Sequence, residues 1–325
     1  MSASITDQFP EWQEKVKLLT NSAWKDAQIN DVNIDHWLAN FCGGFTDQDV
    51  ERAHAFHLLT QFIYLGKKEV DECLRVLFQE KLVYPFVQNR KRTTTDLSTI
   101  ESALSEELIE RTRFVGVGNP AESGTSFLYK FRKANDLPVE IFSSTYDGIS
   151  LAPTITAPSN ASAVLKNCPP DLKHLIYLDD FCGTGEQVQK RVRPFVDSLR
   201  LVNATIRISY FLLFATRDGL DALSRSNLFD DVEAVVVFDN DYKTFSSNSH
   251  YYKNPSSAID KTIAEGVMRH YGEQLGYYGV NSLGFSDCQL LIGFEHNTPD
   301  NSLPVFWDTN PSLPWHPIFP RSKKY

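Results

Sequence analysis

The sequence has few cysteines, no long apolar run and no excess of positive charge, and each shortage excludes a class of protein. Its five cysteines among 325 residues are scattered, without a CxxC pair and odd in number, so neither a disulfide framework nor a zinc site is expected. No segment approaches the about 18 consecutive apolar residues of a membrane helix. The N-terminus also lacks the basic-then-apolar layout of a signal peptide. We therefore expect a cytoplasmic protein in a reducing compartment, without membrane association.

The net charge and the hydrophobic content exclude further classes of protein. Basic residues number 32 and acidic residues 41, giving a net charge of −9. This balance argues against a protein that coats nucleic acid or anionic lipid through its overall field. Hydrophobic residues make up 42% of the chain, which excludes a disordered protein and, at this length, favours two domains with sizeable cores.

Residues 1–112 have the spacing of a helical domain. Apolar residues recur every three or four positions, which predicts one helix over Asp47–Leu65, a break at Gly66 and a second helix over Lys67–Glu80. The next segment, LVYPFVQNRKRTTTD, could form a hairpin with a basic tip, an order that resembles a winged helix-turn-helix. The region has 12 basic and 18 acidic residues, however, so attraction to DNA would depend on that tip alone. We expect a docking domain for a protein or, alternatively, a nucleic acid.

Residues 113–325 change to apolar β-type runs separated by helical segments. The runs are FVGVG at 114, VEIFSS at 139, LIYL at 175, TIRISYFLLFA at 205, VEAVVVF at 232 and QLLIGF at 289. Apolar strands that alternate with helices predict an α/β domain with a mostly parallel sheet. The stretches 145–172 and 240–285 are rich in Ser, Asn, Tyr and Gly and are expected to form loops or a cap.

The segment HLIYLDDFCGTGEQVQKRV, residues 174–192, is the most informative. An apolar strand is followed by Asp179 and Asp180, a small-residue loop and a helix that begins near Glu186. Ligands of open α/β sheets bind beyond the carboxyl ends of strands. Glycines let the backbone approach a phosphate, while the carboxylates can accept hydrogen bonds from ribose hydroxyls and stabilise a cation at the anomeric carbon. A helix cap and an ordinary turn are the alternative interpretation.

The order of apolar strand, two acids, three further residues and Thr-Gly resembles the type I phosphoribosyltransferases. Together with the tail EHNTPDNSLPVFW, it is similar over roughly residues 98–320 to phosphoribosyltransferase-like domains of bacterial conflict systems. Some of these domains occur beside retron reverse transcriptases, and they are often joined to a winged helix. The resemblance implies a type I phosphoribosyltransferase-like fold, a nucleotide or phosphoribosyl pyrophosphate as ligand, Mg²⁺ as cofactor and a role in antiviral defence. It also implies a partner bound through residues 1–112, a reverse transcriptase complex if the protein is retron-associated.

The resemblance also implies roles for individual residues. Asp179 and Asp180 would hold the ribose hydroxyls. The 5′-phosphate would lie against the following loop and helix start, formed by Cys182, Gly183, Thr184, Gly185, Glu186 and Gln187. The pyrophosphate would face the loop that contains Glu122, Ser123, Gly124, Thr125 and Ser126. That loop also has the composition of an anion-binding helix start, or equally of an ordinary capped turn.

Two departures from the family pattern bear on catalysis. Gln187 occupies the position of a hydroxyl residue, and Lys166 is the only basic residue in the 145–172 segment, where a mobile catalytic loop would lie. We expect an effector that acts at the anomeric carbon. The alternatives are a non-catalytic sensor of nucleotide or phosphoribosyl pyrophosphate, which would regulate the N-terminal domain, and a scaffold that binds no ligand.

The proline-rich C-terminal tail offers a further set of candidates. Its side-chain amides, hydroxyl and indole could form a hood that recognises a nucleobase, through Asn297, Thr298, Asn301 and Trp307. A strap that packs its tryptophans into the core is an equally acceptable interpretation.

Overall fold

The computed structural model describes residues 5–118, 123–143, 150–155, 161–166, 169, 171–309 and 313–321. For residues 123–125 and the two strands between 150 and 166, only the backbone is described. The α-helices are α1 (Phe9–Asn21), α2 (Asp31–Ala39), α3 (Gln48–Leu59), α4 (Lys67–Phe78), α5 (Tyr84–Arg90), α6 (Leu97–Arg111), α7 (Ser123–Ala134), α8 (Glu186–Val202), α9 (Arg217–Arg225), α10 (Lys261–Gln274) and α11 (Pro304–Trp307). The strands are β1 (Ile63–Leu65), β2 (Thr112–Gly116), β3 (Phe142–Ser143), β4 (Ser150–Ile155), β5 (Ala161–Lys166), β6 (His174–Cys182), β7 (Arg207–Thr216), β8 (Asp231–Phe238) and β9 (Ile292–Phe294).

A five-stranded sheet with the order β3-β2-β6-β7-β8 forms the centre of the α/β region, and each neighbouring pair is parallel. Helix α8 covers one face and buries Val188, Val192, Val196 and Leu199, which recur at the three- and four-residue spacing of one helical face. The predicted α/β class and parallel sheet are confirmed. Within the described residues, none of the helices combines the length and apolar character needed to cross a bilayer.

The chain forms two compact units, and the first of them is discontinuous in sequence. It comprises Met1–Val70 and Asp239–Tyr325, whereas the second comprises Asp71–Phe238. Neither limit coincides with the expected boundary between residues 112 and 113. The apolar run QLLIGF, expected in the parallel sheet, instead contributes β9, which pairs in parallel with β1 of the first unit, Ile63 opposite Ile292. The apolar pattern of a strand is compatible with either sheet. Which sheet it joins is determined by pairing with a segment that is distant in sequence.

The N-terminal region is helical as predicted, but two of its details were wrong. The helix expected over Asp47–Leu65 ends at Leu59, and its last residues form β1. The segment expected to form a hairpin is the helix α5, which continues from α4 through a π-helical turn over Gln79–Val83. Pro85 comes directly after the π-helical turn, and the helical backbone continues through it to Arg90. The wing of a winged helix-turn-helix is therefore not formed.

The 240–285 stretch, expected to form loops or a cap, contains the helix α10. Its first turn is capped by Asp260, whose carboxylate accepts hydrogen bonds from the backbone of Thr262 and Ile263 at 2.7 and 3.2 Å. Ala264, Val267, Met268 and Tyr271 of this helix are buried in the core of the first unit. Small polar residues around the helix concealed this periodicity.

A buried carboxylate organises one loop of the first unit. Glu51 is fully buried and accepts backbone hydrogen bonds from Gly43, Phe45 and Thr46, together with a 2.6 Å bond from the Tyr271 hydroxyl. Burial alone would raise the pKa of Glu51. The hydroxyl and the three amides outweigh it and hold the pKa below its usual value. The carboxylate thus fixes the loop between α2 and α3.

Candidate functional site

Asp179 and Asp180 lie near the carboxyl end of β6, the middle strand of the parallel sheet. The strand extends past the predicted LIYL run and includes both aspartates, ending at Cys182. Strands β2 and β7 flank it in parallel, so their carboxyl ends point to the same edge. This edge is where open α/β sheets bind ligands.

The carboxyl group of Asp179 is bonded to the protein through both oxygens. The Tyr210 hydroxyl, on β7, donates to Oδ2 at 2.9 Å, and the backbone N–H of Asp180 donates to Oδ1 at 3.0 Å. Burial and the neighbouring Asp180 carboxyl raise the pKa of Asp179 well above its usual value, and the Tyr210 hydrogen bond opposes this shift. The pair therefore favours a state with fewer than two negative charges.

Asp180 is held by a local contact. Its Oδ1 accepts a hydrogen bond from the backbone N–H of Phe181 at 2.9 Å, and the residue is half-buried. The carboxyl groups of Asp180 and Asp179 are close enough to interact electrostatically. The two aspartates that the sequence predicted to act together are therefore adjacent at the sheet edge.

The loop behind the aspartates depends on glycine. Gly185 has φ = 74° and is the residue before the first turn of α8. A Cβ there would lie 2.8 Å from Cγ of Leu223, so both the left-handed backbone and the packing against α9 require glycine. A close approach also occurs at Gly219 in α9, where a Cβ would collide with the carbonyl oxygen of Gly183.

The remaining residues predicted to hold a phosphate occupy different environments. Cys182 is buried in the apolar core beneath α8, while the Thr184 hydroxyl accepts a 3.4 Å hydrogen bond from the backbone of Glu186. Glu186 and Gln187 are exposed at the start of α8. In the amide orientation that gives both groups partners, Gln187 accepts from the Arg191 guanidinium at 3.0 and 3.2 Å. The loop and the start of α8 thus provide backbone N–H groups and the Thr184 hydroxyl as possible contacts for a phosphate.

The predicted pyrophosphate-side loop is only partly covered by the described residues. Glu122 lies outside them, and Ser123, Gly124 and Thr125 form the first turn of α7, of which the backbone alone is described. Ser126 is exposed on the same helix. In the 145–172 segment, β4 and β5 form an antiparallel pair with Ser150 opposite Lys166.

Three of the four side chains predicted to form a base-side hood, those of Thr298, Asn301 and Trp307, lie in the interior of the first unit, and Asn297 is partly exposed. Thr298 donates to the carbonyl of Phe319 at 3.1 Å, and the Trp307 indole donates to the carbonyl of Ser302 at 2.8 Å. Asn301 contacts the carbonyl of Phe285 and the sulfur of Cys288, and Asn297 takes part in a β-bridge with Phe294. Thr298, Asn301 and Trp307 are at most 5% exposed. These contacts match the packed strap rather than the hood, because polar groups buried in a core must be bonded to the protein itself.

Two residues of the site, Tyr210 and Thr216, were missed by sequence reasoning. Tyr210 reaches Asp179 from the neighbouring strand, which requires a register that no local pattern reveals. Thr216 caps α9 by accepting from Gly219 at 3.0 Å, and its hydroxyl also donates to the carbonyl of Gly183. The Thr-Arg-Asp-Gly order after an apolar strand is a capping signal that could have located this contact.

Comparison with known proteins places the chain in a family. The family described as PRTase-CE matches residues 34–321. The chain belongs to this family. The match includes segments of both units, and it establishes a phosphoribosyltransferase-like protein.

The chain is also similar to solved phosphoribosyltransferase structures. An orotate phosphoribosyltransferase from Aeropyrum pernix is 17% identical, with a TM-score of 0.24 over 44% of this chain and 73% of that chain. A xanthine-guanine-hypoxanthine phosphoribosyltransferase from Helicobacter pylori is 13% identical, with a TM-score of 0.22 over 45% of this chain and 90% of that chain. No curated protein matches the chain.

The acidic side chains of the site bear on metal binding. Among the described residues, no three or more His, Cys, Asp or Glu side chains come together as a metal cage. Mg²⁺ is commonly held by one or two carboxylates together with substrate phosphates. In such an arrangement Asp179 and Asp180 would be the residues that hold Mg²⁺, together with substrate phosphates.

Proposed function

We propose that the protein binds a ribose phosphate or nucleotide at the carboxyl edge of its parallel sheet and acts at the anomeric carbon of the sugar. The main support is the position of Asp179 and Asp180, at the end of the central strand and directly before a loop that requires Gly185. Carboxylates at this point can accept hydrogen bonds from ribose hydroxyls and stabilise positive charge that develops on the ribosyl group.

The helix start beyond the loop would hold the phosphate. Backbone N–H groups in the first turn of α8 have no partner within the helix, and the helix dipole favours an anion there. Magnesium would neutralise charge on a pyrophosphate leaving group, held by substrate oxygens and these carboxylates. We also propose a cytoplasmic location, which the scattered cysteines favour, and a role in antiviral defence, beside a reverse transcriptase if the protein is retron-associated, which the resemblance to conflict-system domains favours.

A sensor without catalytic activity is the second candidate. Gln187 occupies the position of the family's hydroxyl residue, and its side-chain oxygen accepts hydrogen bonds from Arg191 on the same helix. This contact favours a pocket whose affinity for phosphate differs from that of the family's enzymes. In this case nucleotide or phosphoribosyl pyrophosphate would regulate a partner bound through the helical N-terminal region. Because α5 replaces the expected wing, a protein is the partner that we propose.

Binding of labelled phosphoribosyl pyrophosphate and nucleotides, with Mg²⁺ present, tests the proposal. We expect the double variant Asp179→Asn/Asp180→Asn to lose at least tenfold in affinity, because the charge-assisted hydrogen bonds to the sugar are removed. Asp197→Asn is the matched control, since Asp197 is an exposed acid on α8. Absence of binding by the parent protein would overturn the proposal in favour of a scaffold.

Product analysis then separates the enzyme from the sensor. The protein is incubated with a nucleotide mixture and, separately, with phosphoribosyl pyrophosphate and free nucleobases. Released base or newly formed nucleotide supports action at the anomeric carbon. Bound but unchanged ligands, under conditions that support the biological effect, support the sensor.

A further inference from the structure

Helix α9 packs against the loop between β6 and α8. Its contacts come from the cap residue Thr216 and from Gly219 and Leu223, which follow at the three- and four-residue spacing of one helical face. The Thr216 hydroxyl donates to the carbonyl oxygen of Gly183, and the Leu223 side chain lies against Gly185. One face of a neighbouring helix therefore supports the loop at both of its glycines.

The strand register places Thr216 beside this loop. Cys182, the last residue of β6, is opposite Ala215 on β7. Gly183 follows Cys182 and Thr216 follows Ala215, so the two residues are neighbours at the carboxyl edge of the sheet. Their contact joins the two segments where the strands diverge.

Gly219 leaves room for the carbonyl group of Gly183. A Cβ at position 219 would lie 2.4 Å from the oxygen and 3.0 Å from the carbon of that carbonyl. The N–H of Gly219 also donates to the Thr216 hydroxyl at 3.0 Å. Because the hydroxyl accepts this bond, its single proton is directed to Gly183. The carbonyl is thus held between a donor and a residue that has no side chain.

The direction of this carbonyl sets the direction of the next amide. In a planar trans peptide, the C=O and the N–H point to opposite sides. The Gly183 carbonyl points to α9, so the Thr184 N–H, which belongs to the same peptide, points away from α9. No acceptor among the described residues bonds to this N–H. It is therefore available to a ligand at the loop.

We propose that Thr216 is a positioning residue for the phosphate: its hydroxyl holds the Gly183 carbonyl on the α9 side and so presents the Thr184 N–H to the ligand. Without the hydroxyl, the peptide can rotate and bring its carbonyl oxygen to the phosphate side, where the partial negative charge of the oxygen repels an anion. This inference rests on the proposed function, because it concerns the loop that would hold the phosphate.

The first measurement compares two variants of Thr216. Thr216→Val keeps the shape of the side chain without the hydroxyl, and Thr216→Ser retains the hydroxyl. The ligands are a nucleoside 5′-monophosphate and the same nucleoside without phosphate. We expect Thr216→Val to lower the affinity for the monophosphate about fivefold and the affinity for the nucleoside less than about twofold. Thr216→Ser should remain within about twofold of the parent for both ligands.

Thr205→Val is the matched control, because the Thr205 hydroxyl donates to Asn203 in an exposed turn of the same unit. This variant should bind both ligands as the parent does. Equal losses of the two ligands in Thr216→Val would overturn the inference, since a general loss of structure does not distinguish a nucleotide from its nucleoside. An unchanged affinity for the monophosphate would overturn it as well.

A second measurement needs no ligand. Gly-Thr occurs twice in the sequence, at residues 124–125 and 183–184, so carbon-13 in the glycine carbonyls and nitrogen-15 in the threonines give two NMR correlation peaks. The 183–184 peak reports the hydrogen bond to the Gly183 carbonyl, and the other peak, identified by its loss in Thr125→Ser, is an internal reference. We expect Thr216→Val to move the Gly183 carbonyl resonance upfield and Thr216→Ser to retain the parent shift. An unmoved resonance in Thr216→Val refutes the contact.

Failure of the proposed function is distinguishable from failure of this positioning role. If the parent binds neither phosphoribosyl pyrophosphate nor nucleotide, the proposed function fails and the role of Thr216 towards phosphate fails with it. The carbonyl resonance still decides whether Thr216 holds the loop. If the parent binds nucleotides and Thr216→Val binds them equally well, only the positioning role of Thr216 fails.

Discussion

His174 begins β6, at the opposite end of the strand from the aspartates. Its Nε2 lies 2.8 Å from the Ser209 hydroxyl, which donates to Asp231 at 2.9 Å, and Arg207 donates to the same carboxylate. Burial and the positive charge of Arg207 lower the pKa of His174 to about 4. The histidine is therefore neutral in the folded protein at neutral pH.

Because the pKa of His174 is lowered by folding, we expect the free energy of unfolding to decrease in mild acid. In the unfolded chain His174 takes up a proton near the usual histidine pKa of about 6.5, whereas in the folded protein its pKa is about 4. The contribution of neutral His174 to the free energy of unfolding is therefore complete above pH 6.5 and is lost as the pH falls towards 4. The loss is at most about 3 kcal/mol. Urea unfolding of the second unit, followed by far-UV circular dichroism between pH 7 and pH 4, measures it.

The variant that isolates this effect is His174→Gln, which cannot titrate. We expect a flatter dependence of the free energy of unfolding on pH in this variant. His57, whose burial lowers its pKa to about 4, contributes a similar slope in the first unit. His36→Gln, at an exposed histidine of the first unit, is the control for the substitution itself. An equal pH slope in His174→Gln and the parent would contradict the assignment.

The turn between β6 and α8 combines two demands on one residue, because Gly185 is both left-handed and packed against Leu223. Gly276, with φ = 96°, is also left-handed but has no neighbouring atom within 4 Å of a built Cβ. The two glycines therefore share the backbone requirement and differ in packing.

Replacing each glycine by alanine separates these demands. Gly276→Ala should cost about 1 kcal/mol, the usual penalty of a left-handed backbone. Gly185→Ala should cost roughly 2 kcal/mol or more, since Leu223 or the backbone must also move. Urea midpoints of the unit that holds each glycine measure the difference. Equal losses would show that Leu223 accommodates the methyl group, and the phosphate-side loop would then need no glycine for packing.

The first unit joins segments from both ends of the described chain around one aromatic core. Phe319 stacks on Phe62 with 4.0 Å between centroids and contacts Trp24 edge-on at 5.3 Å. The indoles of Trp37 and Trp315 both donate to the carbonyl of Val305. The C-terminal segment is therefore part of this core.

A matched pair of phenylalanine variants tests that role. Phe319 is 3% exposed, whereas Phe285 in the same unit is 41% exposed. We expect Phe319→Ala to destabilise the first unit by about 3–5 kcal/mol and Phe285→Ala by less than about 1 kcal/mol. All five tryptophans belong to this unit, so their fluorescence reports its unfolding. Equal effects of the two variants would contradict the packing described for the C-terminal segment.

Local residue order was enough to predict most elements of the second unit and the location of its candidate site. The start of helix α8, the strands β2, β7 and β8, and the Asp179–Gly185 motif all follow from side-chain periodicity or from spacing over a few residues. Such signals depend on neighbours within one or two turns, so they can be recognised without knowledge of the rest of the fold.

Contacts between distant segments determined the remainder. The partner of β9, the discontinuous first unit, the burial of Thr298 and Trp307, and the bond from Tyr210 to Asp179 each join residues from different parts of the sequence. An apolar strand or a polar side chain has the same local pattern whichever partner it finds. Its place is set by competition among partners for burial and hydrogen bonds, and that competition is resolved only when the whole chain packs.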